Sequence, residues 1–201
     1  MSTLGVHRVV ERQAVVRGDR TAVSGAHGGL TYRELNQRAN MVARHLMACG
    51  LRRGSRVVVR MARSPQLAVV LLAVLKAGAA YMWVDGEAKD RWPRGVSIVH
   101  ASNGADETLV VVDDASLVEG PSRPAPNLPI VTRPDDIACV LPPQGGVPAV
   151  LVPHATIAAL RSHPAPDRTV WSGDAAAFDL WLPLMAGGTV MIAASAVEAA
   201  A

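Results

Sequence analysis

Residues 56–84 read RVVVRMARSPQLAVVLLAVLKAGAAYMWV, and the order of periodicities in that stretch decides the architecture. Arg56 to Met61 is a short β-branched run that predicts a strand. Ser64-Pro65 then supplies an N-cap followed by proline in the first turn, and Gly78 follows the last apolar residues, so a helix is expected between them. Ala80 to Val84 turns back to strand character. Outward from this unit the alternation continues. Residues 6–17 carry apolar positions at Val6, Val9, Val10 and Ala14, as in an amphipathic helix. Thr21 to Ser24 and Leu30-Thr31, separated by His27-Gly28-Gly29, predict a hairpin. Thr31 caps a helix running to about Ala48, with Glu34 completing a capping box and Gly50 closing it.

Downstream, residues 89–101 are expected to be helical. Thr108 to Val112, apolar after its threonine, is expected as a strand inside the sheet. Ile137 to Leu141, Ala149 to Val152, Thr169 to Trp171 and Thr189 to Ile192 are further expected strands, with helices over 154–162 and 174–186. Such alternation predicts an α/β fold with a largely parallel sheet flanked by helices in a layered α/β/α arrangement. The chain reads as one domain over residues 1–201. Its Pro-rich stretch at 121–134 holds five prolines and is expected as an extended connection.

Composition narrows the function classes. Half of the residues are apolar but only 3% are aromatic, so Ala, Val and Leu build the core. The net charge of +3 is modest, and the arginines are scattered without interleaved aromatics, which argues against a nucleic-acid partner. Cys49 and Cys139 are too few and too far apart for a disulfide framework or a metal knuckle. The longest apolar run, Leu67 to Leu75, falls far short of the roughly 20 residues that span a bilayer. No basic stretch leads into an apolar run at the N-terminus, so no signal peptide is expected and the cytoplasm is the expected location.

Several segments together resemble the adenylation domains of nonribosomal peptide synthetases, in the acyl-adenylate-forming, AMP-binding superfamily. Leu30-Thr31-Tyr32-Arg33-Glu34-Leu35 matches the family pattern LTYxEL. Leu75-Lys76-Ala77-Gly78-Ala79-Ala80-Tyr81, ending in Asp85, matches LKAGxAYxPxD, and the order and spacing of the two agree with the family. Both motifs are structural. Lys76 beside Gly78 is expected at a helix C-terminus, where its charge suits the dipole.

The resemblance implies a Ser/Thr/Gly-rich phosphate loop, YTSGSTGxPKG, in which small residues bring backbone N–H groups to ATP, hydroxyls add donors and a lysine adds charge. The corresponding segment runs from Asp136 through Pro142-Pro143-Gln144-Gly145-Gly146-Val147-Pro148-Ala149 to Val152-Pro153-His154. The flanking strand and the Val-Pro-His are kept. The loop between is shorter, lacks Ser and Thr, and has Ala149 where the lysine belongs. Pro142 and Pro143 remove two backbone donors. Gly145-Gly146 fits either a small anion nest or an ordinary tight turn. Gln144, Gly145, Gly146, Ala149 and His154 thus make up a degenerate phosphate loop.

Gly173 to Trp181, followed by Ala186-Gly187-Gly188-Thr189-Val190, resembles the family's FDxSVxE helix and the strand after it. Asp174 falls on the aspartate that grips the substrate's α-amino group in amino-acid-activating members. An N-cap carboxylate is the structural alternative for it. The family's later motifs, for magnesium, ribose and the catalytic lysine, have no counterpart up to Ala201.

These features lead to the expectation of an inactive pseudo-enzyme that binds neither ATP nor magnesium well. No metal site and no catalytic residue are assigned. The expected role is that of an interaction or structural partner in nonribosomal peptide (antibiotic) biosynthesis. Alternatives are an amino-acid or amine binding protein using Asp174, and half of a split adenylating enzyme completed in trans. The helices at 64–77 and 174–186 are apolar nearly all round and need cover on more than one side. A homodimer or a complex with a synthetase domain is therefore expected to supply it.

Overall fold

The structure is a computed structural model, describing residues 5–26, 28–85, 96–102, 107–113, 125–129, 132–143, 146, 148–171 and 176–193. The helices are α1 (Val6–Val16), α2 (Tyr32–Ala48), α3 (Pro65–Lys76), α4 (His154–Ala159), α5 (Ala176–Asp179) and α6 (Trp181–Ala186), with a 3-10 turn at Leu160–Ser162. The strands are β1 (Thr21–Gly25), β2 (Gly28–Thr31), β3 (Arg56–Met61), β4 (Ala80–Asp85) and β5 (Val96–Ser102). Beyond them come β6 (Glu107–Asp113), β7 (Ile137–Leu141), β8 (Val150–Pro153), β9 (Arg168–Trp171) and β10 (Thr189–Ile192).

These strands form two mixed sheets, ordered β2-β1-β10-β9 and β6-β5-β3-β4-β7-β8. Each sheet has parallel pairings, at β1/β10/β9 and β3/β4/β7. Antiparallel pairs extend them at β1/β2, β3/β5, β5/β6 and β7/β8. The layered α/β class stands, but the sheet is divided in two, and parallel and antiparallel pairings are mixed in each part.

Local chemistry explains the helix boundaries. The Thr31 hydroxyl accepts the Glu34 amide while the Glu34 carboxylate accepts the Thr31 amide, which satisfies two orphan donors at the start of α2. Ser64 caps α3 through the Leu67 amide. Gly78 ends α3 at φ +76°, a left-handed conformation that a side chain would strain.

The core is aliphatic and gathers around α3. Leu67 through Lys76 are all buried, and α3 touches α1, α2 and strands of both sheets. Its apolar circumference is therefore covered within the chain, against the expectation that other polypeptide must cover it. Aromatics mark the junction of the sheets. Trp83 of β4 meets Trp171 of β9 edge-on, with centroids 5.3 Å apart. The Trp181 indole N–H donates to the Tyr81 hydroxyl at 2.7 Å.

Three further expectations need correction. Residues 96–102 form strand β5 rather than the end of a helix, because their backbone pairs with β3 and β6; residues 89–95 lie outside the described residues. Among the described residues β6 is the outer strand of its sheet, since an apolar run in sequence does not fix pairing at both edges. Residues 176–186 form two short helices broken at Leu180. Pro183 has no amide hydrogen for the Asp179 carbonyl, and in a continuous helix a proline ring would clash with the carbonyl four residues before it. The Pro-rich stretch is described in part: residues 125–129 and 132–134 carry no regular secondary structure.

Candidate phosphate-loop site

The degenerate loop joins β7 to β8, which pair antiparallel with Leu141 opposite Val150. Both strands are short and β8 is the outer strand, so the loop stands at the sheet's rim. Pro143, Gly146, Pro148 and Ala149 are exposed. Gly146 adopts φ +83°, the left-handed conformation of a tight turn. Gln144 and Gly145 lie outside the described residues. The side chain at 149 is a methyl group, which offers a phosphate neither charge nor a hydrogen bond. Pro142, Pro143 and Pro148 have no N–H to donate.

His154 follows β8 as the first residue of α4, but its ring does not face the loop. It is buried, and its Nδ1 accepts the Val6 amide at 3.2 Å. Burial pulls its imidazole down to about 4, only partly opposed by the charge of Asp136. Asp136, before β7, accepts the Arg133 amide at 2.7 Å and the Arg53 guanidinium at 2.8 Å. Burial would raise its carboxyl, but those bonds hold it below the usual carboxylate range. A cavity of about 420 Å³ opens at this end of β7, away from the loop, beside Arg53, Arg56 and Asp136.

Asp174 and Gly173 lie outside the described residues. Asp179, five positions on, is half-buried, and burial raises its carboxyl. The two thiols are free: Cys49 is half-buried and Cys139 buried, where desolvation pushes it up to about 12. Among the described residues no group of three or more His, Cys, Asp or Glu side chains is placed to hold a metal ion. No helix of the described residues is long and apolar enough to cross a membrane.

Two features escaped the sequence reading. Lys76 is completely buried and its ammonium pairs with Glu11 of α1 at 2.5 Å. Burial draws it down to about 8 against the opposing pull of Glu11. His7 is also buried, facing His154. Lys76 therefore does more than sit against a helix dipole: its partner is 65 residues away in sequence. The one available signal was a charged residue ending an otherwise apolar helix, which demands a counter-charge once the helix is core.

The chain was also compared with known proteins. The family model described as AMP-binding enzyme matches residues 10–143. The chain is 33% identical over 168 residues to the nonribosomal peptide synthetase malG of Malbranchea aurantiaca, covering 75% of this chain and 7% of malG. It is 36% identical over 175 residues to the phosphinothricin tripeptide synthetase PhsC of Streptomyces viridochromogenes, covering 77% and 16%. With tyrocidine synthase 1 of Brevibacillus parabrevis the identity is 31% over 216 residues, covering 93% and 20%. The solved N-terminal subdomain of Klebsiella oxytoca NpsA superposes with a TM-score of 0.74 at 24% identity, covering 94% of this chain and 55% of that one. The chain thus spans 20% or less of the length of these synthetases and about half of the solved subdomain.

Proposed function

The chain belongs to the AMP-binding enzyme family, and from that membership we propose that it is a non-catalytic adenylation-type segment acting as an interaction or structural partner in nonribosomal peptide biosynthesis. The observation that carries this reading is the β7–β8 loop. Nucleotide activation needs donors and positive charge aimed at phosphate oxygens. Here prolines stand at 142, 143 and 148, alanine at 149, and no hydroxyl residue lies between Leu141 and Val150. The histidine after the loop is committed to the α1 backbone.

The scaffold contrasts with the loop. The capping box of α2, the helix stop at Gly78 and, among the described residues, one hydrophobic core cluster reaching from Val6 to Ile192 are all present. A fold kept in that detail around a depleted loop supports a role exercised through surfaces. The outer strand β8 offers partly exposed Val150 and Leu151, and β9 offers Val170, as edges for a second copy or a synthetase domain.

The deciding experiment is amino-acid-dependent pyrophosphate exchange with the purified chain, over proteinogenic amino acids and common aryl acids. Background exchange throughout is expected. Exchange by the chain alone would overturn the proposal. Exchange that appears only with an added synthetase fragment would favour the reading as half of an adenylating enzyme completed in trans.

A further inference from the structure

Two imidazoles meet where the first turn of α1 packs on the start of α4. His7 and His154 are each 1% exposed, with ring centroids 5.9 Å apart and planes 75° apart. His154 Nδ1 accepts the Val6 amide, so that nitrogen carries no proton. Both ring nitrogens of His7 are buried without a hydrogen-bond partner, as is the nearby Thr132 hydroxyl. The charges around the pair are unevenly placed. Burial most strongly disfavours a positive His7, and His154, then Lys76 of α3 and Arg8 of α1, add to it. Asp136 favours a positive His154, but its carboxylate already serves Arg53 and the Arg133 amide. Glu11 is engaged by Lys76 and Arg8.

We propose that His7 and His154 form an acid-sensitive latch, which holds the first turn of α1 against α4 and releases it when either imidazole takes up a proton. Protonation of His154 at Nδ1 replaces the acceptor of the Val6 amide with a second donor. Protonation of His7 creates a buried cation that no group hydrogen-bonds, close to the charges of Lys76 and Arg8. In the released state both rings meet water and titrate in the ordinary histidine range, near 6.5. Burial holds them down to about 4 for His154 and about 2 for His7 when the latch is closed. The sign follows: below about 6.5 the released state binds more protons than the closed one, so acid favours release.

Opening starts at the N-terminal turn because the rest of α1 is fastened separately. Glu11 holds Lys76, the Gln13 side-chain amide donates to the Met185 carbonyl at 2.8 Å, and Arg17 donates to the Gly187 carbonyl at 3.2 Å.

Amide hydrogen exchange on the whole chain tests this, comparing residues 6–10 with the α3 amides at pH 7.5 and 5.5, corrected for intrinsic rates. The opening constant of residues 6–10 is expected to rise at least tenfold at pH 5.5 and to be insensitive to low urea, as a local opening is. The α3 amides are expected to remain at least a hundredfold better protected. In His7→Phe/His154→Asn, which keeps a side-chain acceptor near Val6 and removes both titrations, the rise disappears. A pH-independent opening of residues 6–10, or α1 and α3 converging on one protection level at pH 5.5, overturns the latch, and both readings are available from the unsubstituted chain. Persistence of the acid response in a folded double variant also overturns it.

Discussion

The ammonium of Lys76 lies 2.5 Å from the carboxylate of Glu11, joining the last turn of α3 to the middle of α1 inside the core. A buried pair of this kind is weak evidence of net stability, because both charges lost their hydration to form it. Breaking it is a different matter. Lys76→Ala strands the Glu11 carboxylate and is expected to destabilise the fold by about 3 kcal/mol. Arg8, also bound to Glu11, softens the loss. The paired change Glu11→Leu with Lys76→Met removes both charges and is expected to cost far less than the sum of the two singles. Urea titrations of the parent, Glu11→Leu, Lys76→Met and the double variant close the cycle. Additive costs would mean that the two side chains are not energetically coupled.

Tyr32, inside the LTYxEL-like segment, sits with its hydroxyl 2.7 Å from the Gly188 carbonyl and 3.1 Å from that of Leu184. It pins α2 to the turn between α6 and β10. Tyr32→Phe takes the hydroxyl donor from the Gly188 carbonyl, while the Leu184 carbonyl keeps the Gly187 amide, and is expected to cost about 1–2 kcal/mol with no change in fold. A denaturation midpoint equal to the parent's would show that the bond adds nothing.

The two thiols should differ in reactivity. Cys139 is fully buried and desolvation holds it protonated at neutral pH, whereas Cys49 is half-exposed near His45. Titration with a chromogenic disulfide is expected to find one fast thiol in the native chain and both in urea. Two fast thiols under native conditions would place Cys139 in a solvent-accessible environment.

Restoring the missing charge alone should not restore nucleotide handling. Ala149→Lys places an ammonium in the β7–β8 loop, but the three prolines and the lack of hydroxyls remain. Calorimetry with ATP and magnesium is expected to give a dissociation constant weaker than about 10 μM for the parent, equivalent to roughly 7 kcal/mol of binding. For Ala149→Lys the gain should be no more than a few-fold. Tight binding by either protein would contradict the reading of this loop.

Association is expected through the open sheet edges. Light scattering during size-exclusion chromatography should show a dimer, or a stable complex with a synthetase domain, burying at least about 1,000 Å². Val150→Lys with Leu151→Lys places charge on β8 and should weaken that association. A monomer at every concentration, indifferent both to these changes and to added synthetase domains, would remove the edges from consideration.

What was legible in the sequence was local. The Thr31–Glu34 box, Ser64-Pro65 and Gly78 set the ends of α2 and α3 through contacts within four residues of each end. Periodicity and turn signals placed nine of the ten strands in the same terms, and the β7–β8 loop lies between two of them. The errors arose where distant partners decide. Residues 96–102 became a strand because β3 and β6 pair with them, and no window of the sequence contains both. The break at Leu180 was local and still missed, since Pro183 was absorbed into an apolar pattern. Lys76–Glu11 and His7–His154 join elements 65 and about 150 residues apart, and nothing in either half names the other.

The edge-on contact of Trp83 with Trp171 gives the protein an optical gauge of its own. One indole belongs to each sheet, at a separation where their electronic transitions couple, and the Tyr81–Trp181 contact stands beside the same seam. Any treatment that parts the sheets while sparing the strands must erase the near-ultraviolet ellipticity of these rings before the far-ultraviolet signal of the backbone moves. The order in which the two signals fade therefore distinguishes loss of inter-sheet docking from loss of the sheets themselves, without a label or a bound partner.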